Sequence, residues 1–148
     1  MGSSRPCVSR TGFTLLELMI VLAIIAVIAG MVVPRFLSSQ QTANIKTTKS
    51  VILNTEKALE LYAVEHNGQL PSQEGLKALV QPMDLDGKPM KAFMEELPKD
   101  AWGQPLFYEY PNTKSQNQNA DRAAIWSAGP NGQNENGEGD DVKNWTTK

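Results

Sequence analysis

Residues 15–33 form an apolar run in which Glu17 is the only charged side chain. The run is long enough to cross a bilayer, whose ~30 Å hydrocarbon core takes roughly 20 helical residues. A carboxylate inside such a segment is costly, about 2.5–3.5 kcal/mol on insertion scales for a comparable residue at the helix centre. The run itself offers Glu17 no obvious partner, so a partner is expected on another chain.

A short basic peptide precedes this run, with Arg5 and Arg10 ahead of Gly12. An ordinary secretory signal would carry a small-residue cleavage site after its apolar core. None follows here before Pro34, and Ala26 and Ala29 lie too deep in the run. Basic residues ahead of a span hold that end in the cytoplasm, which sends the rest of the chain across the membrane. Cys7 is the sole cysteine, so an internal disulfide is excluded, and Arg5-Pro6 do not provide a lipobox context. The net charge of -2 gives no general attraction to nucleic acid, and no basic stripe with interleaved aromatics appears. With 148 residues, the chain has room for one soluble domain plus an anchor.

Few breakers interrupt residues 13–66, which read as one long helix of about 80 Å at 1.5 Å per residue. Pro34 marks the exit from the apolar half and removes one helical hydrogen bond, which predicts a kink or local loosening. Beyond it, Ile45, Ile52, Leu59 and Tyr62, with Val51, Ala58 and Leu61 alongside, recur at the helical period and form an apolar stripe. Asn67-Gly68 and then Pro71 form the stop signal. Ser72 is placed to cap a short helix reaching about Leu79. Residues 106–110 read as a strand between Pro105 and Pro111, residues 112–121 as a polar turn, and residues 123–127 as the returning strand. Trp102, Trp126 and Trp145 read as packing residues.

From residue 129 to 139 periodicity disappears and Gly, Asn and Glu dominate. Such composition fits either a disordered tail or a loop wound around a cation. Asn131, Asp140 and Asp141 supply hard oxygen ligands of the type calcium accepts in sets of six to eight. The spacing is not that of an EF-hand.

Two sets of residues carry a resemblance. Gly12-Phe13-Thr14-Leu15-Leu16-Glu17, followed by the apolar run and Pro34, resembles the class III signal of type IV pilins and pseudopilins. Three downstream segments are similar to those of type II secretion major pseudopilins: residues 70–79 (LPSQEGLKAL), 97–105 (LPKDAWGQP), and 125–132 (IWSAGPNG) with residues 137–141 and 144–145. The resemblance implies an α+β, type IV pilin-like fold: a long N-terminal helix, transmembrane in its first half, packed on a small antiparallel sheet with a C-terminal calcium loop. It divides the chain into a leader at 1–12 that is removed, a transmembrane and assembly half-helix at 13–34, and a periplasmic domain at 35–148. A prepilin peptidase would cut between Gly12 and Phe13 and N-methylate Phe13, taking Arg5 and Arg10 away. Glu17 would pair with the Phe13 amine of a neighbouring subunit during assembly. The implied calcium ligands are the side chains of Asn131, Asp140 and Asp141 with the carbonyls of Ala128 and Gln133. Asn131 stands where the family usually has Asp, and Glu135 or Glu138 is positioned to compensate.

The same resemblance implies a homopolymeric pseudopilus subunit that helps export folded proteins across the outer membrane. Its partners would be the inner-membrane assembly platform and minor pseudopilins; its location, the inner membrane as a single-pass protein with its soluble domain in the periplasm. A type IV pilus major pilin would share the N-terminal signal, but its usual C-terminal disulfide loop has no cysteines here. A monomeric, membrane-anchored calcium-binding domain would need neither Gly12 nor Glu17. An enzyme is not expected, because His66 is the sole histidine and the adjacent acids Glu95-Glu96 and Asp140-Asp141 give no sign of facing carboxylates. No Gly-rich phosphate loop follows a strand.

Overall fold

The computed structural model describes residues 12–114 and 122–146, without the side chains of residues 33 and 34. The basic peptide with Arg5, Cys7 and Arg10, and residues 115–121 of the expected polar turn, lie outside these. Helix α1 spans Leu15–Glu65, against an expected 13–66, and continues across position 34. The chain divides into two compact units, one ending at Ser39 and one beginning at Gln40.

Among the described residues of the first unit, every side chain of α1 is exposed. Leu16, Ile25, Val27 and Met31 are each more than half exposed. A helix with apolar side chains around its circumference has no aqueous face and requires lipid or other helices around it. By length and composition it can cross a membrane.

In the second unit, α1 turns one face to a core. Ile52, Ala58 and Leu59 are buried, and Ile45, Val51 and Tyr62 pack around them. The stripe also contains Thr48 and Thr55, both fully buried and both missing from an apolar-only reading of the period. Each hydroxyl is satisfied: Thr55 donates to the Val51 carbonyl (2.9 Å), and Thr48 accepts from the Ala101 amide (3.1 Å). Leu61, expected beside the stripe, is instead 59% exposed, because the core face advances from Leu59 to Tyr62 and passes it by. The helix stops as Asn67-Gly68 implies: both residues have positive φ, and the Gly68 amide donates to the Ala63 carbonyl at 2.7 Å.

Helix α2 is a single turn, Lys77–Val80, and Ser72 does not cap it. Gly75 sits at φ +56°, in the left-handed region, so helical backbone can begin only after it. Strands β1 (Phe107–Glu109), β2 (Ala124–Ser127) and β3 (Val142–Lys143) form an antiparallel sheet in the order β1-β2-β3. Phe107 pairs with Trp126 and Tyr108 with Ile125; on the other side Trp126 pairs with Lys143. The hairpin was expected; β3, two residues within a polar tail, was not.

All four residues of β2 are buried, because both faces of the sheet are covered. Ile125 joins Leu59, Leu79, Leu106 and Val142 in the core beneath α1. On the opposite face Trp126 stacks on Phe107 (centroids 5.5 Å) and meets Trp145 edge-on (5.9 Å). Glu56 of α1 ties the layers, accepting from Arg122 and from Asn144, each at 2.7 Å. Asp100 fixes the approach to β1: its carboxylate accepts from the Trp102 and Gln104 amides and from the Ser127 hydroxyl (2.6 Å).

Candidate functional site

Gly12 and Phe13 precede α1 outside any regular element, and Phe13 is 91% exposed. The first turn has a feature that sequence reasoning missed. Thr14 and Glu17 stand in the S/T-x-x-E spacing of a capping box. Glu17 Oε2 accepts from the Thr14 amide (2.8 Å) and hydroxyl (3.0 Å), while Thr14 Oγ1 accepts from the Glu17 amide (3.2 Å). The carboxylate therefore does have a partner within its own segment, contrary to expectation. The reason is that a helix start leaves amide donors unpaired, and these must be satisfied wherever water is scarce. Thr14 is neutral, however, so the negative charge remains for a cation to meet.

The second site lies between β2 and β3. The chain leaves β2 at Ala128, which is buried, and folds into a loop with backbone turns at residues 129–141. Among its members, Glu135, Asp140 and Asp141 bring carboxylate oxygens within 4.8 Å of one another. Asn131 joins them: its Nδ2 donates to Asp140 Oδ1 (2.5 Å) and its amide to Asp140 Oδ2 (3.2 Å). Its own Oδ1 accepts from the amide of Gln133, an exposed residue (2.6 Å). Of the two glutamates expected to compensate, only Glu135 takes part. Glu138 turns outward to Lys143 (3.7 Å).

Whether this donor set suits calcium can be judged from the unmatched oxygens. Asp141 Oδ2 is satisfied by the Glu135 and Gly137 amides (3.0 and 2.7 Å). Asp141 Oδ1 is buried and has no hydrogen-bond partner among the described residues. A buried carboxylate oxygen without a donor is expensive. With three carboxylates converging, a hard divalent cation is the species that would match it. Gly139 makes the convergence possible: a Cβ there would collide with the Glu135 carboxylate. The residues fit.

The sole histidine is not free for other chemistry. His66 Nδ1 lies 2.8 Å from the Tyr62 carbonyl and Nε2 lies 2.7 Å from that of Met83, and its ring stacks on Tyr62 at 3.8 Å. The tryptophans pack, as expected: Trp126 is buried and donates its indole N–H to Asn134 Oδ1 (2.8 Å).

Comparison with known proteins covers both sites. Residues 35–145 match the family described as type II secretion system protein G, and residues 8–33 match the prokaryotic N-terminal methylation motif. Among similar proteins is the type II secretion system core protein G of Pectobacterium carotovorum, 35% identical across 92% of this chain and 85% of its own length. Proteins of that name from Aeromonas hydrophila (32% identical, 94% of each chain) and Vibrio cholerae (33%, 92% of each) are similar over the same extent.

Proposed function

The chain belongs to the type II secretion system protein G family, and from that membership we propose that it is the major structural subunit of a periplasmic pseudopilus. Many copies polymerise through their apolar half-helices, and growth of the filament helps move folded proteins across the outer membrane. The role is structural rather than catalytic. The observation that carries this reading is the family match over residues 35–145 joined to a helix whose first half is apolar and unburied.

Before assembly the subunit is a single-pass protein of the inner membrane with residues 35–148 in the periplasm. A prepilin peptidase cuts between Gly12 and Phe13 and methylates Phe13, and the methylation-motif match at residues 8–33 supports this step. The new Phe13 ammonium of one subunit then meets Glu17 of its neighbour. Two opposite charges in a medium of low polarity attract strongly, and either one left alone is costly. The assembly platform and minor pseudopilins are the other partners.

Calcium is held in the loop by Glu135, Asp140 and Asp141 with the Asn131 side chain, and the carbonyls of Ala128 and Gln133 complete the set. It would neutralise the acid cluster and pin the loop to the sheet. Binding to the folded form alone stabilises by mass action.

The test is complementation of a strain lacking its own copy. Wild type should restore secretion and yield crosslinkable multimers. E17A should be inserted and cleaved but should yield few multimers. Normal multimer yield from E17A would refute the pairing, and secretion unaffected by deletion of the gene would refute the function.

A further inference from the structure

We infer that Asn131 is a self-modification site whose deamidation adds a fourth carboxylate to the cluster of Glu135, Asp140 and Asp141. The chain contains three Asn-Gly pairs, at residues 67–68, 131–132 and 136–137. Such pairs are the most prone to deamidate, because glycine leaves its amide nitrogen unshielded. That nitrogen attacks the asparagine Cγ. A bond forms from Gly132 N to Cγ, the Cγ–Nδ2 bond breaks, and Nδ2 departs as ammonia with the amide proton. Water then opens the five-membered imide. Cleavage at Cγ leaves an aspartyl side chain on the normal backbone; cleavage at the other carbonyl gives the isoaspartyl linkage. The sum is one water consumed and one ammonia released.

The fold separates the three pairs by how firmly it holds the attacking amide. Gly68 N–H is locked to the Ala63 carbonyl at 2.7 Å in the cap of α1. Gly137 N–H is locked to Asp141 Oδ2 at 2.7 Å, a bond strengthened by the carboxylate charge, and Gly137 is buried. Gly132 N–H reaches only the Gly129 carbonyl, at 3.3 Å, and both Asn131 and Gly132 are exposed to water. The Asn131 side chain is held by the Asp140 carboxylate and the Gln133 amide, so attack requires these two exposed contacts to open, and it is the backbone amide that separates the three pairs. The weakly held nucleophile and the acid cluster thus meet at one residue.

The consequence lies in the sign of the Asn131–Asp140 contact. The amide donates to Asp140 now; a carboxylate in its place would repel Asp140 unless a cation lay between them. Deamidation therefore exchanges an internal hydrogen bond for a stronger demand for metal. This part rests on the calcium reading of the loop, whereas the modification itself does not.

Two measurements separate them. The full chain in detergent micelles is aged with chelator, digested, and each Asn-Gly site followed by fragment-ion mass spectrometry. In the folded chain Asn131 should convert roughly fivefold faster than Asn67 and Asn136, the factor set by one well-formed hydrogen bond. In denaturant the three should converge. Equal rates in the folded chain, or an Asn131 that stays intact while the denatured chain reacts, would overturn the site. Calorimetric titration with calcium alone then compares fresh wild type with N131D. Binding by N131D should be roughly tenfold tighter, since charge count tunes such sites. Equal affinity would overturn the consequence. Heat absent from both chains would overturn the calcium reading, while the mass spectra would still decide the modification.

Discussion

Glu17 accepts from its own Thr14, and under the proposed assembly it would also meet a neighbour's ammonium. T14V removes the hydroxyl that donates to the carboxylate but leaves the charge. If the charge drives assembly, T14V should retain most of the multimer yield that E17A loses, read by crosslinking in whole cells. Equal loss in both would make the cap itself the assembly determinant. At the loop, G139A puts a methyl group against the Glu135 carboxylate from a backbone at φ +56°. It should lower stability by about 1–3 kcal/mol and abolish the calcium-dependent part of the melting temperature. The resemblance singled out Asn131, Asp140 and Asp141 together, and the loop does bring these three side chains into one cluster. The choice of Glu135 over Glu138 was not legible in the sequence, because it depends on where β3 places Lys143, the residue that draws Glu138 away.

Helix α1 was legible almost to its ends, since a long period with few breakers leaves one solution. What escaped were Thr48 and Thr55, whose burial depends on acceptors and donors that the period does not reveal. Strand β1 announced itself through β-formers between Pro105 and Pro111, and β2 as the strand returning after a polar turn; β3 is defined by its partner rather than by its own two residues. Element ends also carry the clasps. His66 joins the last turn of α1 to the Met83 segment, its ring lying between the Tyr62 and Met83 carbonyls. H66A should cost about 1–3 kcal/mol in denaturant unfolding, because it removes the ring that bridges these carbonyls and leaves a void beside Tyr62. On β1, Glu109 is held below the usual carboxylate range by the Thr113 hydroxyl and, less strongly, by Lys114. A lowered carboxylate contributes stability above its unfolded value and loses it as pH falls through the folded one. E109Q should therefore flatten the decline of melting temperature in the acid range, and an unchanged slope would show that Glu109 contributes nothing there.

For the whole molecule, the proposed calcium ion is the term most open to measurement. With calcium at roughly tenfold its Kd, mass action adds about 1.4 kcal/mol, which corresponds to about 5 °C in a domain of this size. Removing it with chelator should lower the melting temperature by that amount, and an unchanged curve would dismiss the ion. Two layers flank β2, an aliphatic one under α1 and an aromatic one on the far face. The aromatic layer borders the loop directly, because the Trp145 ring lies against Gly137 with no room for a side chain between them. A rearrangement that moved Gly137 on loading of the proposed cluster would disturb that indole, and the protein's own ultraviolet emission would then serve as a dye-free gauge of occupancy.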